Sequence, residues 1–245
     1  MSINRSQLRL FNSKFEDVSL HDALRLVTES FSGKIAFSSS LGLEDQVITD
    51  AIFRQDLPIE VFTLDTGRLY PETYQLLDET TRRYKKSIRV YYPNHHAVED
   101  FVTRKGINAI HDAVEERKTC CHIRKIEPLN RALKGVSLWV TGIRKQQSTY
   151  RSSMELFEYD EQRELVKFNP LAIWSEDDLW AYIQENEVPY NKLHDNGFPS
   201  IGCAPCTRAV TAGEDHRAGR WWWENEDQKE CGLHSKVELP RIRVA

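Results

Sequence analysis

Five cysteines carry most of the chemistry legible in this chain: an adjacent pair, Cys120 and Cys121, a C-x-x-C formed by Cys203 and Cys206, and a solitary Cys231. Four thiolates from two separated segments can close one metal centre, and the fifth then remains as the free thiol. In a reducing cytosol, ligation is a better reading of such spacing than structural disulfides. Four-cysteine ligation serves zinc and iron–sulfur centres alike. Immediate neighbours fit a single small ion poorly, whereas the separate iron corners of a [4Fe–4S] cube can each take one, so the spacing favours the cluster and leaves zinc as the alternative. Lys118 and Arg124 flank the pair and would offset a cluster's negative charge.

Cys231 lies in Lys229-Glu230-Cys231-Gly232-Leu233-His234. A neighbouring cation lowers a thiol's pKa, and the thiolate is the attacking form. Local cations that could receive an anion stand at Arg144 and Arg151, at Lys118, Arg124 and Lys125, and at Arg208, Arg217 and Arg220. Ser38-Ser39-Ser40-Leu41-Gly42 reads as a strand-to-helix turn that can offer backbone N–H groups to an anion. Asp65-Thr66-Gly67-Arg68 and Thr141-Gly142-Ile143-Arg144 read as two more loops after strands, where open α/β sheets bind ligands.

The elements that must position these loops alternate. Strands are expected at Lys34 to Ser39, Ile59 to Leu64, Ile88 to Tyr92 and Ser137 to Thr141, with helices from about Leu43, Pro71, Ala97 and Cys121. That alternation predicts an α/β fold with an open, mainly parallel sheet, helices on both faces and right-handed crossovers. Ser175 is expected to cap a helix through Leu179, Trp180, Tyr182 and Ile183, with Asp178 completing a capping box. From Val188 to Cys206 the Pro, Gly and Asn content predicts an irregular segment that carries the second cysteine pair to the first. Two regions are expected: 1–220, a nucleotide-binding α/β domain with the metal centre, and 221–245, a flexible C-terminal tail behind the Trp221-Trp222-Trp223 anchor, carrying Cys231.

Lys and Arg number 33 against 37 Asp and Glu, a net charge of −4 that argues against a nucleic-acid surface. Hydrophobic residues at 40% and charged ones at 29% are ordinary for a soluble globular protein. No apolar run approaches the ~20 residues of a membrane helix, and Met1 to Phe15 lacks the pattern of a signal peptide, so a cytoplasmic location without membrane association is expected. Nothing in the sequence decides for or against a homo-oligomer.

Taken together, Lys118-Thr-Cys-Cys-His-Ile-Arg-Lys-Ile-Glu-Pro-Leu, Ile201-Gly-Cys-Ala-Pro-Cys-Thr-Arg, Gly219-Arg-Trp-Trp-Trp-Glu and Lys229-Glu-Cys-Gly-Leu-His resemble the assimilatory adenylyl-sulfate (APS) reductases of the PAPS/APS reductase family. Leu64-Asp-Thr-Gly-Arg, Thr141-Gly-Ile-Arg and Asn169-Pro-Leu-Ala-Ile-Trp-Ser extend the resemblance over nearly the whole chain from about residue 30. It implies an adenine-nucleotide α-hydrolase-like fold, a [4Fe–4S] cluster on Cys120, Cys121, Cys203 and Cys206, and reduction of adenylyl sulfate to sulfite and AMP by thioredoxin or a glutaredoxin-like dithiol. It further implies Cys231 as nucleophile through an S-sulfocysteine, Lys118, Arg217, Arg220 and His234 on the phosphate and sulfate oxygens, and Ser38, Ser40, Asp65, Gly142 and Arg144 around the adenosine. The stretch Ser38 to Glu44 departs from the family's S-F-S-G-x-E-like pattern. The rival readings are a cluster-bearing reductase of 3′-phosphoadenylyl sulfate (PAPS), an ATP-dependent adenylating enzyme or tRNA thiolase of the same fold, and a zinc-holding partner-binding module.

Overall fold

The computed structural model describes residues 5–148 and 151–224. Cys231, His234 and the remainder of the expected tail lie outside the described residues. The chain divides into two compact units: the first comprises the residues up to Thr63, Glu72–Arg89 and Gly135–Lys192, and the second Leu64–Pro71, Val90–Lys134 and the residues from Leu193 onward.

The first unit is organised by β1 (Lys34–Ser39), whose Ile35, Ala36 and Phe37 are all but inaccessible, as the central strand of a parallel sheet requires. It pairs in parallel with β2 (Glu60–Leu64) on one side and β4 (Val136–Val140) on the other. The six strands run in the order β3-β2-β1-β4-β6-β5, with β3 (Arg89–Tyr91) at one edge. At the other, β5 (Phe157–Asp160) turns antiparallel onto β6 (Leu165–Phe168). This hairpin was not expected, because the Glu-, Gln- and Arg-rich residues 161–164 mask two strands of only four residues.

Two N-terminal helices were likewise not expected. α1 (Arg5–Phe15) places Leu8, Phe11 and Phe15 at helical spacing, and α2 (Leu20–Ser30) starts at Ser19, whose side chain accepts the Asp22 N–H. Phe11 and Phe15 pack with Phe31, Phe157 and Phe168 at centroid separations of 4.4 to 6.2 Å, closing one end of the core. α3 (Leu43–Arg54) and α4 (Pro71–Tyr84) follow β1 and β2. A later helix, Glu176–Glu185, has the expected capping box of Ser175 and Asp178.

The second unit holds α5 (His95–Lys105), α6 (Val114–Cys121) and α7 (Glu127–Ala132), so the Glu176–Glu185 helix of the first unit is α8 in chain order. A π turn over His122–Ile126 joins α6 to α7. The helix expected to begin near Cys121 starts about two turns earlier, at Val114, and both cysteines close it. Such π turns collect at functional sites, because the widened backbone re-aims the side chains it carries. Phe101, Ala109, Ile110 and Trp221 form a separate apolar core with Cys120, Cys203 and Cys206. Among the described residues, no helix is long and apolar enough to cross a membrane.

Candidate active site

Four cysteines line one pocket in the second unit. Cys120 and Cys121 arrive on the last turn of α6, Cys203 caps and Cys206 ends the short 3-10 turn Ala204–Cys206, and Ile110, Pro205, Arg68, Arg117, Arg124 and Lys125 complete the lining. Cys120, Cys203 and Cys206 are buried, and Cys121 is partly so. The second pair is held by the loop after β2: Ala204 N–H donates to the Arg68 carbonyl at 2.8 Å, and the Tyr70 hydroxyl donates to the carbonyls of Thr207 and Ala204. Thr66 Oγ1 and Cys203 Sγ share a hydrogen bond of 3.2 Å.

Positive charge is built into this wall. Arg124, expected from sequence beside the cysteine pair, is buried, and its Nη1 donates to the Thr66 carbonyl at 2.6 Å. Arg68 is held over the loop by the Ile107 carbonyl and Asn108 Oδ1. Burial pushes the Cys206 thiol up to about 12, with nearby Cys203 adding to the effect. Cys203 feels burial most strongly too, yet Lys125, the Thr66 hydroxyl, Arg220 and Arg124 outweigh it and leave this thiol below its ordinary value. Burial raises Cys120 against the opposing charge of Arg124.

Soft sulfur donors within a cationic wall are the chemistry a thiolate-ligated, net-negative group requires, so the residues present fit an iron–sulfur cluster. Among the described residues, no group of three or more His, Cys, Asp and Glu side chains is gathered to hold a metal ion. The thiols share a pocket wall rather than a single point.

Arg220 packs on the C-x-x-C segment: a Cβ on Gly202 would lie 2.4 Å from Arg220 Nη2, so only glycine admits the guanidinium there. Arg220 is 7% exposed, and its Nη1 donates to Ser200 Oγ at 3.2 Å. Arg217 is half-buried, its N–H donating to Asp215 Oδ1. Lys118 is exposed on α6 and is not part of the pocket lining; Arg117, one residue earlier, and Lys125, on the π turn, are. The periodicity of α6 could have pointed to Arg117, which stands three and four residues before the two cysteines. Asp65 is buried, and its Oδ1 accepts the Gly67 N–H at 2.7 Å, which shapes the turn that carries Thr66 and Arg68.

The other expected nucleotide-binding residues, Ser38, Ser40, Gly142 and Arg144, belong to the first unit. Ser38 Oγ accepts the indole N–H of Trp139 at 2.9 Å. Arg144 is buried, with Nε on Glu44 Oε1 at 2.8 Å and Nη1 on the Trp174 carbonyl at 3.1 Å. Asp45, to which the sequence reading gave no role, ties the loops after β1 and β4 together. Its Oδ2 accepts both the N–H and the hydroxyl of Ser40, at 2.5 and 2.6 Å, and a Cβ on Gly142 would stand 2.0 Å from its Oδ1. Burial pushes Asp45 up to about 7, against the two Ser40 hydrogen bonds. α3 begins at Gly42 without a side-chain cap, so its first turn is not closed by a preceding side chain.

An open, mainly parallel sheet with polar loops after β1, β2 and β4 defines an adenine-nucleotide α-hydrolase-like protein. The structural relatives agree: a FMN adenylyltransferase from Candida glabrata, solved with FAD and inorganic pyrophosphate, superposes with a TM-score of 0.52 at 15% identity, covering 91% of this chain and 84% of its own, a likeness of fold alone. Residues 34–209 match the phosphoadenosine phosphosulfate reductase domain, and the chain belongs to that family of oxidoreductases acting on sulfur. A phosphoadenylyl-sulfate (PAPS) reductase from Candida auris, solved with phosphate, superposes with a TM-score of 0.74 at 29% identity over 86% of this chain and 99% of its own. Adenosine 5′-phosphosulfate reductases from Allochromatium vinosum and Burkholderia cepacia are 54% and 51% identical, over 84% and 89% of this chain and 81% and 88% of theirs.

Proposed function

We propose that this protein reduces adenosine 5′-phosphosulfate to sulfite and AMP, with Cys231 as nucleophile and a dithiol protein such as thioredoxin as reductant. The observation that carries this reading is that Cys120, Cys121, Cys203 and Cys206 line one pocket, which supports their assignment as ligands of one centre. The fifth cysteine of the sequence is then the one left for bond-making. The identity to named adenosine 5′-phosphosulfate reductases supports the substrate.

In adenylyl sulfate the sulfur is joined to phosphate through an anhydride oxygen, which makes it electrophilic and AMP a competent leaving group. The Cys231 thiolate attacks that sulfur, an S–S bond forms, and the S–O bond breaks with its electron pair departing on AMP. Arg217, Arg220 and His234 hold the sulfate and phosphate oxygens and stabilise the charge that gathers on the bridging oxygen, with Lys118 contributing at longer range. Ser38, Ser40, Asp65, Gly142 and Arg144 form the nucleotide-binding loops. One thiolate of the dithiol partner then attacks Cys231 Sγ and releases sulfite. Its second thiol displaces Cys231, so two electrons pass from the dithiol to sulfur and the partner leaves as a disulfide. A [4Fe–4S] cluster, held by the four pocket cysteines, would supply local charge that shapes the anion site.

The likeness to a PAPS reductase favours PAPS as the second reading. Sulfite release measured with APS and with PAPS, each with reduced thioredoxin in excess, separates the two. Turnover of APS with kcat/KM at least about tenfold above that of PAPS is expected; the reverse preference would overturn the assignment.

A further inference from the structure

The three serines at the end of β1 differ in what their hydroxyls are left to do. Ser40 donates both its N–H and its hydroxyl to Asp45 Oδ2, at 2.5 and 2.6 Å, so neither donor remains for a ligand. Ser39 is buried, and its Oγ accepts the Leu41 N–H at 3.2 Å. Ser38 is half-buried, and its Oγ accepts the indole N–H of Trp139 at 2.9 Å. An indole nitrogen can only donate, so chemistry fixes the direction of this bond. The Ser38 hydroxyl must then turn its own proton elsewhere, and among the described residues its side chain makes no other hydrogen bond.

The sheet builds Trp139 into this place. On β4 it stands beside Ala36 of β1, and because side chains two residues apart along a strand share a face, its indole reaches along that face to Ser38. On the other side its register partner is Lys167 of β6. Both side chains are buried. The Lys167 ammonium lies 5.7 Å from the centre of the indole ring, and the Arg163 guanidinium lies 5.4 Å from it. Glu158 stands 3.8 Å from the ammonium, too far to hydrogen-bond. Cations against an indole draw on its π electrons and make its N–H a better donor. A buried indole N–H needs an acceptor in any fold. Here the acceptor is a serine at the carboxyl end of a central strand, where open α/β sheets bind their ligands.

We infer that Trp139 is a positioning residue for nucleotide binding: by donating to Ser38 Oγ, it leaves the Ser38 hydroxyl to donate to an acceptor atom of the nucleotide. The inference rests on the loops after β1 and β4 being the nucleotide site. It is tested on the iron-replete protein by calorimetric titration of AMP into Ser38→Ala, Trp139→Phe and the double variant. A fourth protein, Trp139→benzothienylalanine at that position alone, keeps the shape of the indole and lacks only its N–H. Should Trp139→Phe fail to fold, this isostere carries the comparison, alone and combined with Ser38→Ala.

Ser38→Ala should weaken AMP binding by about tenfold, and either change at position 139 by about threefold to tenfold. The double variant should bind AMP as Ser38→Ala does, because a residue that acts through another adds nothing once that other is gone. Additive losses would overturn the inference, since the indole would then act by packing alone. Wild-type AMP affinity in the benzothienylalanine protein, beside a weakened Ser38→Ala, would overturn it as well. Wild-type affinity in Ser38→Ala would instead remove Ser38 from the nucleotide site, which keeps failure of the underlying reading distinct.

Discussion

Arg144 Nε donates to Glu44 Oε1 at 2.8 Å, joining the first turn of α3 to the loop after β4, and Gln147 Nε2 donates to the same oxygen. The arginine is therefore already neutralised and held rigid, and its remaining N–H groups are what it can offer a nucleotide. Arg144→Ala should leave the partly buried Glu44 without its cation, costing about 1–3 kcal/mol of stability. Arg144→Lys should keep the fold and weaken AMP binding by about tenfold. Chemical denaturation and calorimetric titration of AMP check the two effects.

Gly142 has no room for a side chain against Asp45. Gly142→Ala would drive a methyl group into the Asp45 carboxylate, or force the carboxylate off Ser40, and should destabilise the protein by about 1–3 kcal/mol. A urea midpoint equal to that of the wild type would contradict the close approach.

Asp45 gives the loop a pH dependence. Burial raises this carboxyl to about 7, above its unfolded value, so the folded state binds the proton more tightly. Its contribution to stability is then fully present below the unfolded pKa, near 4, and is lost as pH rises through about 7. The stability difference between the wild type and Asp45→Asn should shift against the wild type between pH 5 and pH 8, by a few kcal/mol in order of magnitude. Urea melts of both proteins at the two pH values measure it; a constant difference would place the carboxyl's pKa outside that window.

The cations of the cysteine pocket separate by position. Lys125 lines the pocket and Lys118 does not, although both flank the cysteine pair in sequence. Lys125→Ala should therefore lower sulfite formation by about tenfold or more, against less than about threefold for Lys118→Ala. Replacing any of the four pocket cysteines with Ser should remove iron and activity together. Iron analysis beside steady-state assays distinguishes these outcomes.

Where the sequence carried strong periodicity, it predicted the structure closely. The four strands expected from apolar runs appear within one residue of their expected ends; β1, β2 and β4 are largely buried, as inner strands of a parallel sheet are, whereas β3 at the edge is not. The β5-β6 hairpin escaped because Glu158, Arg163 and Lys167 give it a polar composition, while Lys167 packs its ammonium 5.7 Å from the Trp139 ring. Spacing pointed to the cysteine quartet, since adjacency and C-x-x-C are local patterns. Arg117 paired with Glu224, Thr66 with Cys203 and Asp45 with Ser40 and Gly142 were not legible: the first two join residues more than a hundred positions apart, and the third depends on how two loops approach.

Mixing the iron-replete protein with APS alone, without any thiol donor, and mapping the modified residue by mass spectrometry tests the central claim most directly. One sulfonate per chain, on Cys231 and accompanied by stoichiometric AMP, is the expected result. A sulfonate on Cys120, Cys121, Cys203 or Cys206, or AMP release from a Cys231→Ser variant at the wild-type rate, would contradict it.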